Sequence, residues 1–95
     1  MNKLSNMVYE EYERKVVFIM MTVRKVTMGP DEARELVQIA TKCDFDIDIS
    51  YNRYTVDAKS ILGVLAMDFS KVLTISYNGV SEELEGFLSR FAMAC

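Results

Sequence analysis

Ile47-Asp48-Ile49-Ser50-Tyr51-Asn52-Arg53-Tyr54-Thr55-Val56-Asp57 is the stretch on which the fold of this chain turns. Ile47, Ile49 and Tyr51 alternate with Asp46, Asp48 and Ser50, the pattern of a strand with one face buried and the other wet. Asn52-Arg53 is a two-residue link into Tyr54-Thr55-Val56-Asp57, which predicts a β-hairpin. A type I′ turn needs positive φ at both central residues, and Arg53 sits where glycine would be easier.

Upstream, a first strand is expected over Val16 to Val26, rich in Val, Ile, Phe and Met. Gly29-Pro30 ends it and opens a helix: proline is tolerated at the first helical position, and Asp31 and Glu32 suit the positive end of the helix dipole. Ala33, Leu36, Val37, Ala40 and Cys43 recur at helical spacing and predict one face packed on a sheet. Downstream, Ser60 caps a short helix through about Met67, and Lys71 to Tyr77 alternates with Leu73, Ile75 and Tyr77 on one face. Asn78-Gly79 turns the chain, Ser81 caps, and Leu84, Phe87, Leu88 and Phe91 form the stripe of a last helix. The order β-α-β-β-α-β-α makes an α+β, two-layer open-faced sandwich, a four-stranded antiparallel sheet with three helices on one face. Residues 1–15 have balanced charge and only partial helical spacing, and read as an N-terminal extension to a domain over 16–95.

The 95 residues suit one domain, and 51% hydrophobic with 26% charged residues is ordinary globular composition. A net charge of -3 without a basic stripe gives no reason to expect nucleic acid or an anionic membrane as partner. The longest apolar run, Val16 to Met21, is far short of the ~20 residues that span a bilayer, and it follows acidic residues. Cys43 and Cys95 make no disulfide framework and are expected as free thiols. The chain is therefore expected to be soluble and cytoplasmic, with no metal and no cofactor.

Three segments carry a more specific likeness. Leu36-Val37-Gln38-Ile39-Ala40-Thr41-Lys42, Ile47 to Tyr54, and Ala58-Lys59-Ser60-Ile61-Leu62-Gly63-Val64-Leu65 resemble the HPr family of the bacterial sugar phosphotransferase system. The likeness runs nearly without gaps over about residues 17–93, and Lys59 to Val64 resembles the family's regulatory-serine motif. In that family a histidine at the start of the first helix accepts phosphate from enzyme I and hands it to sugar-specific carriers. A neutral imidazole is nucleophilic near pH 7, the helix N-terminus offers N–H groups to phosphoryl oxygens, and a neighbouring arginine adds a cation.

The resemblance sets Gly29 at the histidine position, Asp31 at the arginine position and Glu32 at a proline. No register shift rescues the site, since the chain contains no histidine. Pro30 removes one N–H, and each first-turn carboxylate repels an incoming phosphate by about 1 kcal/mol or more. The helix start reads as one that satisfies itself. Cys43, at the opposite end of the helix, is no substitute nucleophile, because the dipole there disfavours a thiolate. No catalytic residue is expected, and the chain is not expected to be an enzyme.

Two readings of Ser60 stand. It is a helix cap and nothing more, or, as the resemblance implies, it is phosphorylated by a kinase/phosphorylase and then docks on a transcriptional regulator of catabolite repression. A histidine-lacking relative, the catabolite-repression homologue, keeps only that second role. Phosphate at Ser60 would lie beside Lys59 at a helix N-terminus. Ile61, Leu62, Val64 and Leu65 cannot all face the sheet from so short a helix, so Ile61 with Val64 or Leu65 is expected in an exposed patch, rimmed by Lys59 and Arg34. The expected function is a non-catalytic regulatory or adaptor protein acting through protein partners, as a monomer or weak homodimer. The alternative is a self-associating module in which Ser60 is only a cap.

Overall fold

The computed structural model describes residues 21–93. Strand β1 (Thr22–Val26) is followed by helix α1 (Pro30–Lys42), strands β2 (Ile47–Tyr51) and β3 (Tyr54–Asp57), helix α2 (Ile61–Leu65), strand β4 (Leu73–Tyr77) and helix α3 (Glu82–Ser89). The four strands form one antiparallel sheet in the order β1-β4-β2-β3. The element order and the sheet are those expected from the sequence.

The period-2 pattern explains which face is covered. Ile47 and Ile49 of β2 stand level with Tyr77 and Ile75 of β4, and Val26 of β1 stands level with Leu73. All six are buried, beneath Ala33, Leu36, Val37, Ile39 and Ala40 of α1 and Leu84, Phe87 and Leu88 of α3. The opposite face carries Val23, Lys25, Asp48, Ser50, Thr55, Thr74 and Ser76, residues that tolerate water.

One local expectation needs correction, at the fourth strand, and two others are delimited. The first strand covers Thr22–Val26; the portion expected over residues 16–20 lies outside the described residues, as does Cys95. The fourth strand begins at Leu73, two residues late, because Lys71 belongs to a turn. There the Asp68 carboxylate accepts from the Ser70 amide at 3.0 Å and hydroxyl at 2.6 Å, and these bonds hold its carboxyl below the usual range. In the β2–β3 hairpin only Asn52 takes the left-handed conformation, with φ 52°. Asparagine tolerates it, and Arg53 is spared the strain that a type I′ turn would impose.

Tyr77 is 1% exposed, and its hydroxyl donates to Oε1 of Glu85 on α3. Arg24 Nη2 of β1 donates to the other Glu85 oxygen at 2.9 Å. The cluster ties β1, β4 and α3 together. Burial first, and then the bond to Glu85, push the Tyr77 hydroxyl up from 10.0 to about 12. The sign follows from linkage: a group whose folded pKa is raised contributes stability below its unfolded pKa and loses it as pH climbs through the folded one. The thermal midpoint of the protein is therefore expected to fall more steeply than that of Tyr77→Phe between pH 10 and about 12. Parallel melting curves across that interval would show Tyr77 to be no contributor.

One segment beyond α3 was not expected. The Phe91 carbonyl accepts from Thr27 N–H at 3.3 Å, Met93 N–H donates to the Lys25 carbonyl at 2.9 Å, and Ala92 bridges Val26. Residues 91–93 thus lie antiparallel along the outer edge of β1.

Candidate functional site

The starts of α1 and α2 carry the residues singled out by sequence. Gly29 is the N-cap of α1, in extended backbone, with Pro30 as the first helical residue and the Ala33 amide bonded to the Gly29 carbonyl at 3.0 Å. No side chain caps this end, which corrects the expectation of a self-satisfied start. What occupies it is negative charge. The Asp31 side chain is 94% exposed, and Glu32 folds back so that its Oε2 lies 3.0 Å from where a Cβ on residue 29 would stand. Arg34 reaches Asp31 at 3.7 Å, an exposed i,i+3 pair of small energetic weight.

Helix α2 starts from a real cap. Ser60 Oγ accepts from the Gly63 amide at 3.3 Å, and the Ser60 carbonyl accepts from Val64 N–H at 2.9 Å. Ser60 is itself exposed. Lys59 is committed elsewhere: its amide donates to Asp57 Oδ1 at 2.9 Å, and its ammonium donates to the Cys43 carbonyl at 3.0 Å. It therefore serves the C-terminal end of α1, where a cation suits the dipole. Cys43 is half-buried and unpaired, its thiol donating to the Ile39 carbonyl at 3.5 Å.

The apolar patch has a different membership from the one expected. Val64 is fully buried in the core and drops out of any docking surface, and Leu65 is half-buried. Ile61 is 40% exposed and Leu62 is 82% exposed. The signal was present in the spacing: Ile61, Val64 and Leu65 stand at i, i+3 and i+4, which leaves Leu62 on the other side of the helix. The link from Lys59 to Cys43 joins residues far apart in sequence and has no comparable signature.

The model of the family described as PTS HPr component phosphorylation site matches residues 30–85, more than half of the chain. The chain belongs to the HPr family. A crystal structure of a phosphocarrier protein HPr from Bacillus anthracis strain Ames is similar, with a TM-score of 0.55 and 29% identity over 75% of this chain and 94% of that one. The HPr fold accounts for the sheet order and for the positions of α1 and α2. Among the described residues no helix is long and apolar enough to cross a membrane.

Proposed function

We propose that this HPr-family protein is a regulatory or adaptor protein that does not carry phosphate on a histidine and acts by binding other proteins through the starts of α1 and α2. The observation that carries the reading is the start of α1: Gly29 stands at its N-cap, the Glu32 carboxylate lies over it, and the chain has no histidine. A phosphoryl group approaching this end meets Asp31 and Glu32 in place of an imidazole and a guanidinium. The partners are proteins of the phosphotransferase type, such as a kinase/phosphorylase or a transcriptional regulator, and the setting is the bacterial cytoplasm.

Incubation with enzyme I and labelled phosphoenolpyruvate is expected to leave the protein unlabelled. Gly29→His is expected to remain unlabelled too, because the new side chain would begin 3.0 Å from Glu32 Oε2, with the exposed Asp31 carboxylate in the same helix turn. Acid-labile label on the parent chain would overturn the reading; label on the variant alone would show that the surrounding carboxylates are harmless.

Regulation is proposed at Ser60, with Ile61 and Leu62 as the apolar part of the docking surface beside it. The exposure of Ser60 and of Leu62 at 82% supports this, as both are open to a partner. Treatment with the serine kinase and ATP is expected to add one phosphate to the parent and none to Ser60→Ala, which is also expected to be about 1 kcal/mol less stable through loss of its cap. An unmodified parent would reduce Ser60 to the cap it makes with Gly63.

A further inference from the structure

An open groove of about 390 Å³ runs between α1 and α3. Lys42 lies 3.5 Å from Glu83 at one end and Arg90 lies 3.5 Å from Glu35 at the other, so the two helices are antiparallel. Glu82 stands on the same wall, with no ion pair among the described residues. Gly86 lies midway along the α3 wall. A Cβ added there meets nothing within 4 Å, and its φ is not left-handed. Neither space nor backbone within this chain calls for glycine, which weakens a helix interior relative to alanine.

The charges are arranged about that glycine. Glu82 precedes it by one turn and Arg90 follows it by one turn, while α1 carries Glu35 and Lys42 in the opposing sense. A two-fold axis through the groove beside Gly86 lays Glu82 against Arg90 of a second copy and Lys42 against its Glu35. We propose that this α1–α3 face is an isologous docking surface for a second copy of the same chain, with Gly86 at the symmetry axis where the two α3 backbones approach. Every contact away from the axis of such an interface occurs twice, Glu82 on Arg90 and Arg90 on Glu82, as two-fold symmetry requires. The exposed bridges already present hold their partners weakly and exchange readily for contacts across the axis. Each end of the groove carries both signs, Lys42 with Glu82 and Glu83 at one and Arg90 with Glu35 at the other. A partner of uniform charge meets like charge at both, whereas a two-fold copy sets opposite charges against each other. The inference is independent of what occurs at Ser60 or Gly29.

Sedimentation equilibrium of the full chain at several concentrations tests it. The mass is expected to rise toward that of a dimer with concentration and to fall back in about 0.5 M salt, where surface charges are screened. Glu82→Lys sets like charges opposite each other twice and is expected to raise the dissociation constant about tenfold or more. Adding Arg90→Glu to it restores complementarity and association. Gly86→Leu places a better helix former at the axis, so the monomer stays folded by circular dichroism while the dimer is lost. A monomeric mass at every concentration overturns the proposal. So does a dimer that survives Glu82→Lys or Gly86→Leu, or a double variant no tighter than the single.

Discussion

Ile75→Ala is expected to lower the unfolding free energy by about 2–5 kcal/mol, the range for truncating a buried isoleucine. Ile75 is 0% exposed and sits at the middle of β4, one of the two strands that pair on both sides. In register it faces Arg24 on β1 and Ile49 on β2. Removing its outer carbons leaves a void in the core, which the hydrogen-bonded neighbours on either side cannot close by shifting. Stability of a domain this size is about 5–15 kcal/mol, so the variant is expected to spend a measurable fraction of time unfolded. Urea titration at constant m-value measures the loss, with Ile75→Val expected at about 0.5–1.5 kcal/mol. Val23→Ala, on the opposite face of the sheet and 57% exposed, is the control and is expected within about 0.5 kcal/mol of the parent. Equal losses at Ile75 and Val23 would contradict the assignment of the two faces.

Gly79→Ala is expected to cost about 1–3 kcal/mol, for the opposite reason of overpacking. A methyl group there would lie 2.2 Å from Phe45 Cδ1, 2.4 Å from Cγ and 2.6 Å from Cε1. These atoms belong to the body of the ring, which has no short rotation that clears them. Phe45 is also stacked on Tyr77, with centroids 6.0 Å apart and planes at 28°, so displacing it disturbs the end of β4 as well. No glycine has a positive φ, so the penalty comes from contact and not from the backbone. A double-mutant cycle isolates it: in a Phe45→Ala background, Gly79→Ala is expected to cost less than about 0.5 kcal/mol. The same penalty in both backgrounds would place its origin elsewhere.

Gly79 also marks where sequence reading stops. Asn78-Gly79 is legible as a turn, but the need for glycine comes from Phe45, brought there by the packing of the loop after α1. The stripe of α1 and the alternation of β2 were readable because their period is local and a single face is buried. The start of β4 is not legible, because Asp68 and Ser70 hold Lys71 in a turn that alternation alone does not reveal. At the candidate site, the loss of the histidine is visible in composition, whereas the Glu32 carboxylate over Gly29 needed coordinates. Leu62 was legible in principle from helical spacing, and Lys59 was not, since its carbonyl partner lies on another element.

The short segment of residues 91–93 beside β1 has a consequence for how the protein behaves in a crowded solution. A bare strand at a sheet margin is a template for endless addition of further strands, the first step toward fibres. Here the Lys25 carbonyl and the Thr27 amide are already taken by Met93 and Phe91. The other margin, β3, is four residues long and ends in Asp57, whose carboxylate is turned onto its own following loop. One margin is partly sealed by the chain itself and the other is too brief to recruit neighbours. A chain cut after Arg90 would lose the seal on β1 and become prone to stack into insoluble aggregates.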